Sequence, residues 1–392
     1  MNRRIVLRKS IILLFAGVVA FLAGREFWSL RHYEDSFVAS ESLSEVTSLS
    51  AYDPSLRGTW ADSPVYVFDS GIPGGTVFYM GGAHPNESAG ILSAYILMEN
   101  IEVHTGKVIV LPIANLSAST ATLSGFGYPC YYQVETDWGS KKYKVGSRVA
   151  NPLDQWPDPP VFIHYPSGQA LCYEDYRNIN RNFPGKSDGS LTERVGRAIM
   201  NLLETEQVDF AFDIHEASIT YPVNDTYVAP DISADIAFLS AMSLEGRGID
   251  IRVELSADSL KGYSHREWGM VDGVHPFLIE APTPFIERVV GPMTGSLVRY
   301  GKDEFLVKIA DAGYAAVPYD ENGYSLEYRC GLQLSAALEV VNMGSMMEPD
   351  RAIDVSWPGF EDLETNGIGY YLHDPGALES QGRVQYVGPA TK

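Results

Sequence analysis

TVFYMGGAHPNESAGILSAYILMEN, residues 76–100, holds three kinds of local pattern in one short run. Thr76 to Met80 is an unbroken apolar stretch of the length a buried strand needs. Gly81-Gly82 punctuates it, and a helical repeat through Ile91, Ala94, Tyr95, Leu97 and Met98 predicts a helix from Ser88 to Ile101. A buried strand that turns directly into an apolar helix is the unit of an α/β protein. His84 and Glu87 lie on the turn itself, where α/β proteins place their ligands.

The same alternation continues outward. Val65–Phe68, Val108–Ile113, Val208–Ile214, Ile249–Leu255 and His275–Ile279 read as strands. Leu191–Glu206, Ile232–Gly246, Lys302–Ala312 and Leu332–Met343 read as helices. Residues 115–176 are rich in Gly, Pro and Tyr and show little periodicity; a loop region this long is expected to shape a functional pocket. The pattern predicts a domain over 61–347, a polar linker over 25–60, and a tail of unassigned role over 348–392.

Composition narrows the class. With 392 residues, 45% hydrophobic and 20% charged, the chain can bury a large core. A net charge of -21 excludes nucleic acid as a partner, since phosphate binding needs clustered Lys and Arg. Arg3, Arg4, Arg8 and Lys9 precede an uncharged apolar run, Ile11 to Ala23. Residues 1–24 therefore read as a signal peptide or N-terminal membrane anchor, with a likeness to a twin-arginine signal at Arg3-Arg4. The expected location is periplasmic, extracellular, or tethered through residues 11–23 to the outer face of the cytoplasmic membrane. Of the three cysteines, Cys130 and Cys172 form one bridge, or all three stay free.

Three further segments carry chemistry. His215 follows the Val208–Ile214 strand. With His84 and Glu87 it completes two imidazoles and a carboxylate, the ligand set of a catalytic zinc site with one position open. Asp213 and Glu216 compete as partners for a ligand histidine. Glu280 ends an apolar strand before Ala281-Pro282-Thr283-Pro284 and suits a general base. Asn180-Arg181-Asn182 offers an Arg fork for a substrate carboxylate, with Asn180 as a neutral donor.

In this order the pieces Gly82-x-His84-x-x-Glu87, Asn178-Ile179-Asn180-Arg181-Asn182-Phe183-Pro184-Gly185, Asp213-x-His215 and Ile279-Glu280 resemble the zinc carboxypeptidase superfamily, in particular its succinylglutamate desuccinylase/aspartoacylase branch. The resemblance covers residues 65–345. It implies a mixed, mainly eight-stranded sheet flanked by helices, and one Zn2+ per chain on His84, Glu87 and His215. It also implies Glu280 as catalytic base, with Asn180 and Arg181 binding the substrate carboxylate. The implied activity is hydrolysis of an amide bond next to a carboxylate-bearing residue, as a carboxypeptidase or an N-acyl-amino-acid deacylase, on a small-molecule or peptide substrate.

Two positions depart from the family. Pro85 stands where members commonly have Gly, and the stretch Ile113-Ala114-Asn115-Leu116-Ser117 lacks the Arg that stabilises the oxyanion. Between Glu87 and Asn180 only Arg148 and Arg177 remain, and Arg148 is the preferred substitute. The alternative reading, drawn from that missing Arg, is a non-catalytic, envelope-tethered binding protein on the same scaffold. Asn86-Glu87-Ser88 is also a glycosylation sequon, set against the metal ligands.

Overall fold

The computed structural model describes residues 3–123, 127–286 and 290–388. In chain order the elements are α1 (Arg3–Arg31), β1 (Asp35–Val38), β2 (Leu43–Ser48), β3 (Pro64–Asp69), β4 (Thr76–Met80), α2 (Ser88–Asn100), β5 (Glu102–Thr105) and β6 (Lys107–Leu111). There follow β7 (Tyr131–Thr136), β8 (Gly139–Lys144), β9 (Phe162–Ile163), β10 (Ala170–Leu171), α3 (Leu191–Thr205), β11 (Phe210–Ser218), β12 (Thr226–Ala229), α4 (Ala234–Gly246) and β13 (Arg252–Leu255). The rest are α5 (Ser264–Glu267), β14 (His275–Thr283), α6 (Gly295–Tyr300), α7 (Glu304–Asp311), α8 (Leu326–Met347), β15 (Asp354–Ser356), α9 (Phe360–Asn366), α10 (Pro375–Leu378) and β16 (Val384–Val387).

Eight strands form one mixed sheet in the order β13-β12-β14-β11-β4-β6-β3-β2. Its centre, β14, β11, β4 and β6, is parallel. The expected fold class is therefore the observed one. β4 is buried at every position because helices cover both faces, so its sequence is a continuous apolar run. Alternation is still visible in the packing. Val77 and Tyr79 face the cluster with α2 and α8, while Phe78 and Met80 face the cluster with α3. Helix α3 starts in a capping box, with Ser190 and Glu193 satisfying each other's backbone N–H groups.

Two segments differ from the sequence reading. Part of the supposed linker over 25–60 is folded: β2 pairs antiparallel with β3 and closes one edge of the sheet. Half of β2 is exposed and none of it is buried, so a Ser- and Glu-rich strand there looks like a linker in sequence. The tail after residue 348 is also folded. β16 pairs with β1, and Leu363, Ile368, Leu372 and Val387 are buried in the main core. Between residues 115 and 176, β7 and β8 form a hairpin, and Cys130, Cys172 and Cys330 are all free thiols. Asn86 is only 4% exposed, so the folded chain cannot carry a glycan there.

Helix α1 is long and apolar enough to cross a membrane, and 29 residues at 1.5 Å each span about 43 Å. It is exposed until Leu30, which is buried. Its last residue is fixed: Arg31 pairs with Asp154 at 2.6 Å and lies 4.0 Å over the Trp60 ring.

Cutting the chain after Glu348 is expected to abolish soluble expression. The seven apolar side chains lost from the core, Ile353, Val355, Trp357, Leu363, Ile368, Leu372 and Val387, account together for about 10–20 kcal/mol, against a usual total stability of about 5–15 kcal/mol. A truncated chain that stays soluble and melts near the full-length temperature would contradict this packing.

Candidate functional site

The turn from β4 to α2 is set by glycines. Gly82 has φ +56°, and a Cβ there would stand 3.0 Å from Ile113 Cα. At Gly90 a Cβ would stand 2.9 Å from the Ile214 carbonyl oxygen, so the first turn of α2 lies directly on β11. This approach brings Glu87, the residue preceding α2, against His215. One Glu87 oxygen is 2.8 Å from His84 Nδ1 and the other 2.8 Å from His215 Nδ1. The Glu216 backbone N–H also donates to Glu87, at 3.1 Å. All three side chains are buried, their ligand atoms lie within 4.8 Å of one another, and the group can hold a metal ion.

The far side of each ring is tied to an acceptor. His84 Nε2 is 2.8 Å from Asn178 Oδ1, and His215 Nε2 is 2.9 Å from Asp213 Oδ2. With a metal ion bound, an N–H donated at Nε2 would leave the Nδ1 lone pair facing inward, as a metal ligand requires. Asp213 reaches His215 because positions two apart on β11 share a face. Asp213 also accepts a short bond from Ser264 Oγ. Glu216, the competing candidate, is occupied elsewhere: it accepts from Ala89 N at 2.8 Å and pairs closely with Arg329.

Glu280 stands in register with His215 across the parallel β11–β14 pair, so the two side chains emerge on one face. Its Oε2 is enclosed without a hydrogen-bond partner. Burial, together with the charge of Glu87 and against that of His215, pushes its pKa up to about 8. Glu87 goes the other way: burial would raise it, but His84 and His215 hold it well below the usual carboxylate range. His84 is pushed down to about 4 by burial and by Arg148. His215 is lowered by burial and raised more strongly by Asp213 and Glu87, and ends well above the ordinary range.

His84, Glu87, Arg148, Asn180, Arg181, His215 and Glu280 all line one cavity of about 680 Å3 at the C-terminal end of the parallel strands. Arg148 Nη1 is 3.2 Å from Glu87 Oε1. Arg177 is turned away, with its guanidinium on Asp158 and the Ala150 carbonyl. Arg181 stacks 3.8 Å over Tyr263 and donates to the Asn180 carbonyl at 2.6 Å. The Asn180 carboxamide accepts from Ser264 N at 2.8 Å and lies 3.1 Å from His215 Nε2. Sequence reasoning left Asn178 without a role and missed Tyr263 and Ser264. The last two are more than 80 residues from Asn180, and no local spacing announces them.

No protein-family model matches the sequence, and no curated protein matches it significantly. Among solved structures the chain is similar to an aspartoacylase family protein from Mesorhizobium loti, at 18% identity and TM-score 0.38 over 64% of this chain and 66% of that one. It is similar to a succinylglutamate desuccinylase from Silicibacter, at 17% identity and TM-score 0.34 over 56% and 53%. It is similar to a metallo-carboxypeptidase from Burkholderia cenocepacia, at 11% identity and TM-score 0.46 over 78% and 66%. In each pairing the chain spans less than two thirds of the other's length.

The raised pKa of Glu280 has a measurable consequence in metal-free protein. The folded chain keeps this proton up to about pH 8, whereas an unfolded chain releases it near 4.5. The associated stability is therefore full below 4.5 and declines as the pH rises to 8. In thermal melts from pH 5 to 9, Glu280→Gln is expected to lose less melting temperature than wild type. Parallel curves would show that Glu280 ionises normally.

Proposed function

We propose that the chain is a zinc-dependent hydrolase that cleaves an amide bond next to a carboxylate-bearing residue. The observation that carries this reading is the convergence of His84 Nδ1, His215 Nδ1 and the Glu87 carboxylate in one buried cluster, with Glu280 in register beside it. Two imidazoles and one carboxylate suit zinc with an open position. A bound zinc ion would supply Lewis-acid polarisation of the carbonyl and acidify a water molecule.

The side chains divide the remaining work. Glu280 takes the proton of the attacking water and returns it to the leaving nitrogen. Its enclosed oxygen and raised pKa suit a group that both accepts and gives up a proton near neutral pH. Arg181, held flat against Tyr263, anchors the substrate carboxylate with a preset fork. Arg148 faces the carbonyl oxygen as negative charge develops there. Asn178 and Asp213 keep both imidazoles turned the right way. A cavity of about 680 Å3 has room for a dipeptide or an N-acyl amino acid. The non-catalytic alternative drew on a missing arginine, and Arg148 beside Glu87 weakens it. The exposed, apolar α1 supports a tether that holds the enzyme at the outer face of a membrane.

Glu280→Gln should retain stoichiometric zinc and lose about 10²–10⁴-fold in kcat on N-acyl amino acids or peptides. Unchanged turnover would sink the assigned role. Asp213→Asn is expected to weaken zinc affinity about 10–100-fold in chelator competition. An unaltered affinity would remove Asp213 from the site's support.

A further inference from the structure

His265, on the short helix α5, lines the same cavity and has no part in the scheme above. It is 2% exposed, and neither ring nitrogen has a hydrogen-bond partner. Buried polar groups are nearly always paired, so two open positions on one enclosed imidazole call for an explanation. Its neighbours fix where the ring stands. Tyr263, which carries the Arg181 guanidinium, packs 5.5 Å from it, and Ser264 is bonded to both Asn180 and Asp213. The ring is therefore held on the Arg181 side of the cavity.

A second buried group faces the same space. Ser256 is 7% exposed, its Oγ has no partner, and it lines the cavity. Arg266 Nη1 donates to the Ser256 carbonyl at 3.3 Å, which joins the two segments. Around them the wall is apolar, with Leu255, Leu260 and Leu278. Burial, then the charges of His215, Arg266 and Arg181, pushes the His265 pKa down to about 3, so the ring is neutral at physiological pH. A neutral imidazole offers one donor and one acceptor, and the Ser256 hydroxyl can act as either. A carboxamide presents the complement, a carbonyl and an NH2 on one planar group.

We propose that His265 and Ser256 form a specificity subsite for a side-chain carboxamide on the same substrate residue whose carboxylate Arg181 holds. The inference rests on the hydrolase reading for the identity of that carboxylate. It makes asparagine or glutamine the favoured residue, because a carboxamide can pair the Ser256 hydroxyl and one His265 ring nitrogen that an apolar side chain would leave unpaired.

The test reads binding, so that it does not depend on turnover. N-acetyl-L-glutamine, N-acetyl-L-leucine and N-acetyl-L-glutamate are titrated calorimetrically into zinc-loaded full-length protein that carries Glu280→Gln in every sample to stop turnover. The protein with Glu280→Gln alone is expected to bind the glutamine compound about 10-fold tighter than the other two. His265→Leu should abolish that preference while changing leucine affinity less than about 3-fold, and His265→Asn, which keeps a donor and an acceptor, should restore part of it. Melting temperatures confirm that each variant is folded. Arg181→Met should weaken all three ligands alike, separating the clamp from the subsite. The proposal is overturned if the protein with Glu280→Gln alone shows no glutamine preference or binds none of the three, or if His265→Leu weakens glutamine and leucine equally. A kept glutamine preference with no hydrolysis by wild type would refute the hydrolase reading alone.

Discussion

The two oxygens of Glu87 are shared between two imidazoles, and much of the molecule serves that contact. It requires β4 and β11 to be neighbours and parallel, so that His84 and His215 leave the sheet at the same end. It also requires α2 to begin on top of β11, which the missing Cβ of Gly90 permits. A carboxylate at the start of a helix sits in the positive end of its dipole, and Glu87 occupies that position. The helix thus favours the anion that the histidines need.

Beneath this layer lies a buried ion pair that ties the supporting elements together. Glu216, next to His215, pairs with Arg329 on α8, and both are almost fully enclosed. Arg329 also donates to Thr283 at the end of β14 and to the Val298 carbonyl of α6. Glu216 in turn holds the Ala89 N–H at the start of α2. A pair like this adds little over apolar packing when intact, but losing one partner strands a charge in the core. Its effect is to fix β11, β14, α6, α8 and the start of α2 in one arrangement. Gln333 adds a bond from α8 to the His215 carbonyl at 3.0 Å.

What could be read in the sequence was what is local. The β4 strand, the α2 helix and the His84–Glu87 pair fall within 25 consecutive residues, where periodicity and spacing carry the information. His215 and Glu280 were legible because each closes an apolar run in the sequence, although the strands themselves continue to Ser218 and Thr283. Tyr263, Ser264 and His265 were not, because a short loop helix has no repeat to read and its partners come from distant segments. The β2 segment looked like a linker for a related reason. An edge strand pairs through its backbone, while its side chains face water and stay polar. The tail after residue 348 hides in the same way, its few apolar residues spread across short elements that make sense only against the core.

Two carboxylates at the centre of the cavity are chemically alike and are driven apart by where they stand. Both are deep enough for burial to favour the neutral acid. Glu87 escapes this because each of its oxygens meets an imidazole at 2.8 Å, so it stays an anion. Glu280 has an enclosed oxygen with no partner and feels Glu87 as a like charge, so it holds its proton to about pH 8. A permanent anion is what a cation ligand must be, and a carboxyl group poised near neutrality is what a proton carrier must be. Position decides the difference: Glu87 stands at the N-cap of α2, on the β4–α2 turn, whereas Glu280 stands on β14 in register with His215. Position 280 faces His215 from the next strand, beyond the ring that Glu87 already engages, and no change in residue type is needed to set the protonation of the two carboxyl groups apart.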